Sequence, residues 1–234
     1  MTRILSLIPA ALVALVFGFL GAWAFALSGL GGDATREWLL AHPEILPEMA
    51  EAYQANEAKA RLAAVAGDVA RPFPGAVLGN PNGTVTLVEF TDYGCAFCRQ
   101  SVAEVKALIA ANPDLKVVMR EWPIFPGSEG PARMALAAAK QGKYAAFHDA
   151  LFAAGPPSAA TVAAAARAAG LDIAAAEKFA ASPAAQFELQ KNIELARRLG
   201  FDGTPSWVVG DAAFSGAVGR GRIGEAIAAA RKRT

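Results

Sequence analysis

The sequence has almost no excess of charge of either sign. Its 234 residues include 22 lysines and arginines against 21 aspartates and glutamates, which gives a formal net charge of +1. A nucleic-acid-binding domain needs a strongly basic surface, so this balance argues against nucleic acid as a partner. The basic run from Arg231 to Arg233 is interpreted as the solvated end of a helix, where positive charge is favourable.

Cysteine and histidine are also scarce. The chain has two cysteines, Cys95 and Cys98, and two histidines, His42 and His148. A structural zinc site needs four ligands, and neither histidine stands at a recognisable spacing from the cysteines. We therefore predict no metal site and no cofactor, and we interpret His148 as a structural residue packed among neighbouring phenylalanines. A single cysteine pair also argues against the disulfide framework that stabilises small secreted domains.

A long apolar run begins the chain. Arg3 precedes an almost unbroken apolar stretch from Ile4 to Leu27, with small residues at a spacing suited to signal peptidase near its end. The stretch is longer than the about 7–15 apolar residues of a typical signal peptide, and it reaches the about 20 residues that span a bilayer. Residues 1–27 are therefore predicted to be either a cleaved signal peptide or an uncleaved membrane anchor. Both place the remainder of the chain in the periplasm or another extracytoplasmic space.

Export changes what the two cysteines indicate, because disulfides persist outside the cytosol. Cys95 and Cys98 are separated only by Ala96 and Phe97. A disulfide that closes so short a loop restrains the unfolded chain little, so a purely structural role is disfavoured. The spacing favours redox chemistry.

The chain after the apolar run divides into three parts. Residues 33–66 show two helical patterns interrupted by prolines, with too few apolar positions to form a core alone. We expect this segment to pack on the main domain or on another copy of itself. Residues 67–83 are rich in glycine, proline and asparagine and are predicted to be a linker. The main domain is expected over residues 84–234.

The pattern of the main domain predicts an α/β fold. A β-branched and apolar run at Thr84–Phe90 predicts a buried strand, followed by a helix over 96–111 and a second strand at Leu115–Trp122. This β–α–β order implies parallel pairing of the two strands. Residues 131–200 are predicted to form an inserted helical subdomain, because large apolar side chains recur within an alanine-rich sequence. The elements expected after it are strands at Ser206–Val209 and Ala213–Val218 and a helix at Ile223–Arg231.

The position of Cys95 predicts a reactive thiol. It stands where the first strand passes into the helix, so its sulfur is expected to face unsatisfied N–H groups at the positive end of the helix dipole. That environment favours the thiolate, the form that attacks disulfides. Cys98 lies one turn later on the same face and is predicted to resolve the mixed disulfide. We thus expect an exposed nucleophile and a covered resolving cysteine.

Three motifs in order resemble the DsbA-like branch of the thioredoxin superfamily. They are the strand and redox motif at Leu87–Phe90 and Tyr93–Cys98, the helical segment Lys143–Phe152, and the loop and strand at Gly200–Gly210. The similarity covers roughly residues 84–230 and is far more specific than a C-x-x-C pair alone. It implies a thioredoxin-like fold with an inserted helical subdomain, and an enzyme that exchanges disulfides.

The resemblance implies further site residues. It implies that the Thr204–Pro205 peptide bond is cis and lies against the cysteine pair, with a trans-proline turn as the alternative. Because proline has no N–H, the neighbouring backbone would be free to pair with an extended substrate peptide. Glu89 matches a buried acidic residue that this family places beneath the resolving cysteine. A buried carboxyl group has a raised pKa and could exchange protons with Cys98, whereas a salt bridge at the strand end is the alternative.

The residues between the cysteines depart from the strongest oxidants of the family. Those carry Pro-His, whose histidine stabilises a thiolate, whereas this chain has Ala96 and Phe97. We therefore predict a milder oxidant, with a reduction potential nearer to the about −180 mV of disulfide isomerases than to the about −120 mV of DsbA itself.

The segment Trp38–Glu48 resembles the region that precedes the catalytic domain in ScsC- and Com1-like proteins, some of which use it to oligomerise. The hypothesis is that residues 33–66 hold two or three catalytic domains together as a homo-oligomer. A helix folded back on its own domain is the alternative.

The leading hypothesis for function is an exported enzyme that exchanges disulfides with protein substrates. Net oxidation, isomerisation and reduction driven by a membrane redox partner all remain open. The alternative from another class is a copper(I)-handling protein that uses the same two soft thiolates. A third hypothesis is a non-catalytic module that holds peptides in a groove beside Pro205.

Overall fold

The structure divides into two compact units, with a boundary between Gln54 and Ala55. This computed structural model describes residues 7–28 and 30–233. The first unit contains helix α1 (Leu7–Leu27), helix α2 (Leu30–Ala41), a 3-10 turn (Pro43–Ile45) and the start of helix α3 (Leu46–Ala63). The two helical patterns predicted within 33–66 are therefore present as α2 and α3.

Large apolar side chains of α2 and α3 face solvent within the first unit. Between residues 12 and 54, none of the side chains that the structure describes is buried. The exposed group comprises Trp38, Leu40, Leu46, Met49 and Tyr53. Over the described part of the chain, no helix was found that is both long enough and apolar enough to cross a membrane.

The second unit is built on a mixed sheet of five strands in the order β1-β3-β2-β4-β5. The strands are β1 (Val77–Gly79), β2 (Val85–Thr91), β3 (Leu115–Glu121), β4 (Ser206–Val209) and β5 (Ala212–Ser215). β2 and β3 are parallel, whereas β1 with β3, β2 with β4 and β4 with β5 are antiparallel. Helix α5 (Ala96–Ala111) connects β2 to β3, which confirms the predicted β–α–β unit.

The two faces of the sheet bury different clusters of apolar side chains. Leu87 and Val117 belong to the larger cluster, which also contains both cysteines. Val88 and Val118, the next residues along each strand, belong to a second cluster on the opposite face. Because successive side chains of a strand point to opposite faces, β2 and β3 are buried on both faces along most of their length. The second cluster is completed by Leu62, Val65, Val69 and Leu195, among others.

The stretch predicted as a linker, residues 67–83, forms part of the second unit. It includes most of a short helix, α4 (Ala66–Val69), and strand β1, which pairs Val77 with Val118. Gly75 precedes this strand with a φ of +88°, and a Cβ there would overlap the carbonyl oxygen of Ala139. The prediction is corrected here because a three-residue strand bounded by glycine and asparagine carries too little periodicity to be distinguished from a turn.

A block of five helices lies between β3 and β4, as the sequence predicts for residues 131–200. The helices are α6 (Glu129–Lys140), α7 (Tyr144–Ala153), α8 (Ala159–Ala168), α9 (Ile173–Ala180) and α10 (Pro183–Leu199). Ser158, Asp172 and Ser182 cap α8, α9 and α10 by accepting from backbone N–H groups. The last helix, α11 (Gly219–Arg231), packs against α5. This arrangement confirms the predicted α/β fold with a helical insertion.

Candidate active site

Cys95 begins helix α5, at the point where the chain leaves β2. It is the N-cap residue, with φ −84° and ψ 122°. Its N–H donates to the Asp92 carbonyl at 3.1 Å, and its own carbonyl accepts from the Arg99 N–H at 3.2 Å. The turn through Tyr93 and Gly94 therefore places the Cys95 sulfur at the helix N-terminus, as predicted. Cys95 and Cys98 are both free thiols.

Both cysteines are buried from solvent. Cys98 is fully buried, in agreement with its predicted position, but Cys95 is only 3% exposed. The prediction of an exposed nucleophile is corrected for a physical reason. The loop before β4 lies over Cys95, and the Cys95 Sγ is 3.2 Å from the carbonyl oxygen of Thr204. Sequence alone could not measure this coverage, because the covering residue comes from a distant part of the chain.

The covering loop contains the cis proline that the resemblance implies. The Thr204–Pro205 peptide bond is cis. The Pro205 carbonyl accepts from the Gly216 N–H at 2.8 Å, and the Ser206 hydroxyl donates to the Gly203 carbonyl at 2.6 Å. These contacts attach the loop to β4 and to the chain after β5. The Thr204 carbonyl is thereby held at the Cys95 sulfur.

Glu89 lies on β2 beneath the cysteine pair. It is 2% exposed, and burial raises the pKa of its carboxyl group from 4.5 to about 8, while the hydrogen bond from Ser101 acts in the opposite direction. Its hydrogen-bond partner is the Ser101 hydroxyl at 2.7 Å. Among the residues that the structure describes, Glu89 takes part in no salt bridge, so the strand-end ion pair weighed above is not what the fold contains.

The surroundings of Ser101 agree with a protonated Glu89. The Ser101 oxygen is 2.7 Å from the Glu89 carboxyl oxygen and 2.7 Å from the Cys98 carbonyl oxygen. A hydroxyl group carries one proton, so it cannot donate fully to both acceptors. When Glu89 is ionised, Ser101 donates to its carboxylate; when Glu89 is protonated, it donates to Ser101, and Ser101 then donates to the Cys98 carbonyl oxygen, so both contacts are satisfied.

Cys98 is strongly biased towards the neutral thiol. Burial raises its pKa well above the ordinary range, and the nearby Glu89 carboxyl raises it further. The backbone of Asp92 and the side chain of Thr204 act in the opposite direction. A thiolate released from a disulfide in such a place takes up a proton readily, and Glu89 is the buried acid beside it.

Comparison with known proteins identifies the family. A model of the DSBA-like thioredoxin domain matches residues 86–228, which is more than half of the chain. The chain belongs to this DsbA-like thioredoxin family. A second model, the copper resistance protein ScsC N-terminal domain, matches residues 32–60, which include the segment Trp38–Glu48 that resembles ScsC-like proteins.

Three solved structures illustrate how similar this chain is to known proteins in fold and sequence. A thioredoxin-like oxidoreductase from Silicibacter pomeroyi DSS-3 is 44% identical, with a TM-score of 0.62 over 67% of this chain and 91% of that one. ScsC from Proteus mirabilis in a compact conformation is 26% identical, with a TM-score of 0.61 over 79% and 96% of the two chains. The thiol-disulfide exchange protein alpha-DsbA2 from Wolbachia pipientis is 25% identical, with a TM-score of 0.67 over 76% and 97%.

One curated protein matches a smaller part of the chain. It is the Na(+)/H(+) antiporter NhaA 3 of Salinispora tropica, 34% identical over 80 residues. The match spans 33% of this chain and only 12% of the length of that protein.

This DsbA-like chain has a second buried acid that the sequence did not reveal. Glu121 ends β3, and its carboxyl oxygen accepts from the Tyr144 hydroxyl at 2.6 Å and from the Tyr93 hydroxyl at 3.4 Å. Burial raises its pKa from 4.5 to about 8, and the neighbouring acids Asp92 and Glu89 raise it further. The signal available in the sequence was an acidic residue shortly after the apolar run Val117–Met119 of β3.

His148 is a core residue of the DsbA-like domain, as predicted. Its ring stacks on Tyr144 and packs edge to face with Phe152, and its Nδ1 lies 3.2 Å from the Tyr93 hydroxyl. Burial lowers its pKa from 6.5 to about 4, so the imidazole is neutral at physiological pH. The helical insertion thus reaches the turn before Cys95 through His148 and Tyr144.

Proposed function

We propose that the protein is an exported thiol–disulfide oxidoreductase that exchanges disulfides with protein substrates through Cys95 and Cys98. The observation that supports this most directly is the Cys95 sulfur at a helix N-terminus, 3.2 Å from the Thr204 carbonyl beside a cis proline. Membership of the DsbA-like family supports the same reaction class. A buried acid next to the second cysteine supplies the proton that the reaction requires.

Oxidation of a substrate then proceeds in two exchanges. A substrate thiolate attacks the Cys95 sulfur of the Cys95–Cys98 disulfide, which breaks the S–S bond and leaves the electron pair on Cys98. Glu89 delivers its proton to Cys98, so no charge remains on the buried sulfur. A second substrate thiolate attacks the substrate sulfur of the mixed disulfide and releases Cys95. The substrate loses two electrons to the cysteine pair and releases two protons to solvent as its thiols ionise; one proton from solvent restores Glu89, and Cys95 leaves as a thiolate or takes up the other.

The cysteine pair must be reoxidised after net oxidation of a substrate, or reduced again after net reduction. We propose a membrane redox partner for this step, since an extracytoplasmic enzyme has no access to the cytosolic reductant pools. Because Phe97 cannot stabilise a thiolate as a histidine does, we place the reduction potential near about −180 mV. Isomerisation is the role that this value favours.

The proposed function is tested by equilibrating the protein with glutathione buffers and counting free thiols. The expected result is one two-electron transition near about −180 mV, lost in Cys95→Ser and in Cys98→Ser. A potential near about −270 mV would make the protein a reductant. A chain whose thiols never form a disulfide across the whole range is not an oxidoreductase of this kind.

Export and assembly are part of the same proposal. The apolar run of residues 1–27 is proposed to direct the chain out of the cytoplasm, either as a cleaved signal or as a tether. Mass spectrometry of the protein recovered from its host distinguishes a cleaved from an intact N-terminus. Residues 33–66 are proposed to hold copies of the chain together, because the apolar side chains of α2 and the first half of α3 lie exposed within their own unit.

Copper(I) handling is the second candidate. Copper(I) prefers soft ligands, and two thiolates in a C-x-x-C pair are such ligands. The match of residues 32–60 to an N-terminal domain named for copper resistance favours testing it. Equilibrium dialysis with copper(I) under reducing conditions, comparing the native protein with Cys98→Ser, gives the answer. Stoichiometric binding by the native protein that is lost in Cys98→Ser supports copper handling. No binding by the native protein, or equal binding by the native protein and Cys98→Ser, rules out copper handling by the cysteine pair.

A further inference from the structure

Two neighbouring side chains on the cysteine face of the sheet end in polar atoms without a partner. Thr91 on β2 and Glu121 on β3 are register partners in the parallel ladder, so their side chains point to the same face. Both residues are fully buried. Among the residues that the structure describes, neither the Thr91 Oγ1 nor the Glu121 Oε2 has a hydrogen-bond partner. Buried polar atoms are almost always paired, with protein or with an internal water, so these two atoms indicate a place for one.

The two unpaired atoms lie next to the acid that serves the resolving cysteine. Glu89 stands two residues before Thr91 on β2 and points to the same face. Burial raises the pKa of Glu121 most, and the Glu89 carboxyl is among the neighbours that raise it further. Glu89 itself is faced by Cys98 and by Glu104 of α5. Thr91 is therefore adjacent to one buried acid along its own strand and to the other across the ladder.

The second oxygen of Glu121 leads towards the surface. Its Oε1 accepts from the Tyr93 hydroxyl at 3.4 Å, and the same hydroxyl oxygen lies 3.2 Å from the His148 Nδ1. Burial lowers the pKa of His148 most, while Asp149 raises it and Lys106 lowers it. Lys106 and Asp149 form a surface ion pair at 2.8 Å. His148 is thus the member of this hydrogen-bonded series that lies beside exposed charges.

Two further groups that face Glu121 hold it in place. The Tyr144 hydroxyl of α7 donates to Oε1 at 2.6 Å and fixes the orientation of the carboxyl group. Asp92 is tied to the backbone and not to Glu121. Its carboxylate accepts from three N–H groups, the last two of them in the loop 123–127 after β3: those of Gly94, Ile124 and Phe125.

We propose that Glu121 is a positioning residue for the proton of Glu89, which it passes to and from solvent. On the inner side, one internal water joins the Glu121 Oε2 and the Thr91 hydroxyl to Glu89. On the outer side, the path runs through Tyr93 and His148. A carboxyl group suits this place because it takes up a proton on one oxygen and releases a proton from the other. The proposal rests on the disulfide exchange proposed above, and its distinct content is the route of the proton.

Each reaction cycle needs such a route. When Cys98 leaves the disulfide it takes the proton of Glu89, and one proton from solvent must then reach the buried carboxylate. When the pair is oxidised again, the Cys98 thiol loses its proton as it attacks the mixed disulfide on Cys95. Glu89 accepts that proton only after its own has left. One proton therefore enters and one leaves in every cycle, and the electrons stay on the sulfur atoms.

Infrared spectroscopy measures the route without catalysis. The reduced full chain, held below the pKa of both acids, is transferred to deuterium oxide, and the conversion of each buried carboxyl group from COOH to COOD is followed. Glu89→Gln and Glu121→Gln assign the two bands. Thr91→Val keeps the side-chain shape and removes the hydroxyl, and it is expected to slow exchange at Glu89 about tenfold. Thr91→Ser retains the hydroxyl and is the matched control, expected to restore the exchange rate.

A purely structural role of these residues predicts the opposite sign. A variant with a loosened fold opens more often and exchanges its buried protons faster, so slower exchange does not follow from lost stability. Equal exchange at Glu89 in the native protein and in Thr91→Val overturns the inference, and so does equal slowing in Thr91→Val and Thr91→Ser. If Thr91→Val does not fold, Glu121→Gln carries the test, and unchanged exchange at Glu89 in that variant overturns it.

The redox reaction gives an independent measurement. Glu121→Gln is expected to slow oxidation of the reduced protein by saturating oxidised glutathione about tenfold more than reduction of the disulfide by a dithiol. The reason is that Glu89 must first release a proton in the former reaction and already holds the one it gives in the latter. Glu194→Gln, at an exposed acid, is the control and should leave both rates native. Equal effects on both rates overturn the relay and leave the proposed function standing, whereas a protein that never exchanges with glutathione removes both.

Discussion

At the scale of single residues, the site is defined by two carboxyl groups whose environment keeps them protonated. Glu89 and Glu121 lie on neighbouring parallel strands, two register positions apart, and point to the same face of the sheet. Each has a pKa raised by burial to about 8. At neutral pH both carboxyl groups beneath the cysteine pair are therefore protonated. Glu89 is the one of the two that lies next to Cys98.

The stability of the protein is expected to fall as pH rises between about 4.5 and about 8. The folded state binds a proton on Glu89 throughout this window, whereas the unfolded chain has released it, so raising the pH favours unfolding. Glu89→Gln removes the titration, and the slope of unfolding free energy against pH should become shallower by about 1.4 kcal/mol per pH unit. Urea unfolding at pH 5, 6.5 and 8 measures the slope.

The matched control for this measurement is Glu194→Gln, because Glu194 is exposed and its pKa is lowered by Arg197. It should leave the slope in this pH window as in the native protein. A Glu89→Gln slope equal to the native one contradicts a pKa of about 8.

Ser101→Ala tests the hydrogen bond that opposes the effect of burial on Glu89. Loss of the hydroxyl removes an interaction that favours the carboxylate, so the pKa of Glu89 should rise. A neutral hydrogen bond is worth about 1 kcal/mol, which corresponds to a rise of about one pH unit or less. Infrared titration of the protonated carboxyl band, with Glu121→Gln as background to remove the second acid, measures it. A pKa that falls would show that Ser101 serves as acceptor only.

At the scale of elements, Arg120 joins the chain before β1 to the back of the sheet, which is the face opposite the cysteine pair. Its side chain is fully buried. It donates to the carbonyl oxygens of Asp68, Val69 and Arg71, and to the Glu188 carboxylate and the Asn192 amide oxygen, both at 3.0 Å. The end of α4, the residue Arg71 after it and helix α10 are thereby held on β3 by one guanidinium group, and the five donors of arginine suit this role.

Arg120→Met is expected to destabilise the fold by about 3–5 kcal/mol, because it leaves the Glu188 carboxylate and several carbonyl groups without partners in the interior. The urea midpoint at neutral pH measures the loss. Arg197→Met, at an exposed pair with Glu194, should change stability by less than about 1 kcal/mol. The double variant Arg120→Met with Glu188→Met should recover part of the loss. A single variant as stable as the native protein would mean that water replaces the guanidinium.

The parts of the structure that could be predicted from sequence are those with local signals. The strand before Cys95, helix α5 and the cysteine pair follow from periodicity and spacing, and Pro205 and Glu89 follow from the family motif. Asp92, Glu121 and Arg120 were missed as functional or structural positions. Their partners come from other elements: the loop 123–127, helix α7, and the chain around α4. A one-dimensional pattern does not show which backbone groups arrive beside a side chain.

At the scale of the whole molecule, the boundary of the catalytic unit differs from the boundary suggested by composition. The predicted oligomerisation segment runs to residue 66, but Leu62, Val65 and Val69 are buried on the back of the sheet. The exposed apolar side chains of α2 and α3 lie before residue 55. The two roles therefore divide within helix α3, with assembly proposed for its first half and core packing for its end.

Two truncations separate these roles. A chain beginning at Ala55 is expected to be monomeric and to keep the unfolding free energy of the second unit. A chain beginning at Pro72 loses three core side chains and the carbonyl acceptors of Arg120, and should lose on the order of 5 kcal/mol. Light scattering and urea unfolding measure both properties. If the chain from Ala55 has the same number of subunits in solution as the full chain, residues 33–54 do not mediate assembly.

The contact between Cys95 and Thr204 also determines when the site can exist during synthesis. These residues are 109 positions apart, and all five helices of the insertion are translated between them. A chain is made from its N-terminus, so both thiols are present well before the segment that covers them. During this interval they have the reactivity of an unprotected dithiol, and other disulfide-forming enzymes can act on them. A nascent chain stopped after α10 should react with a thiol reagent far faster than the finished protein, because selectivity begins only when Thr204 takes its place over the sulfur.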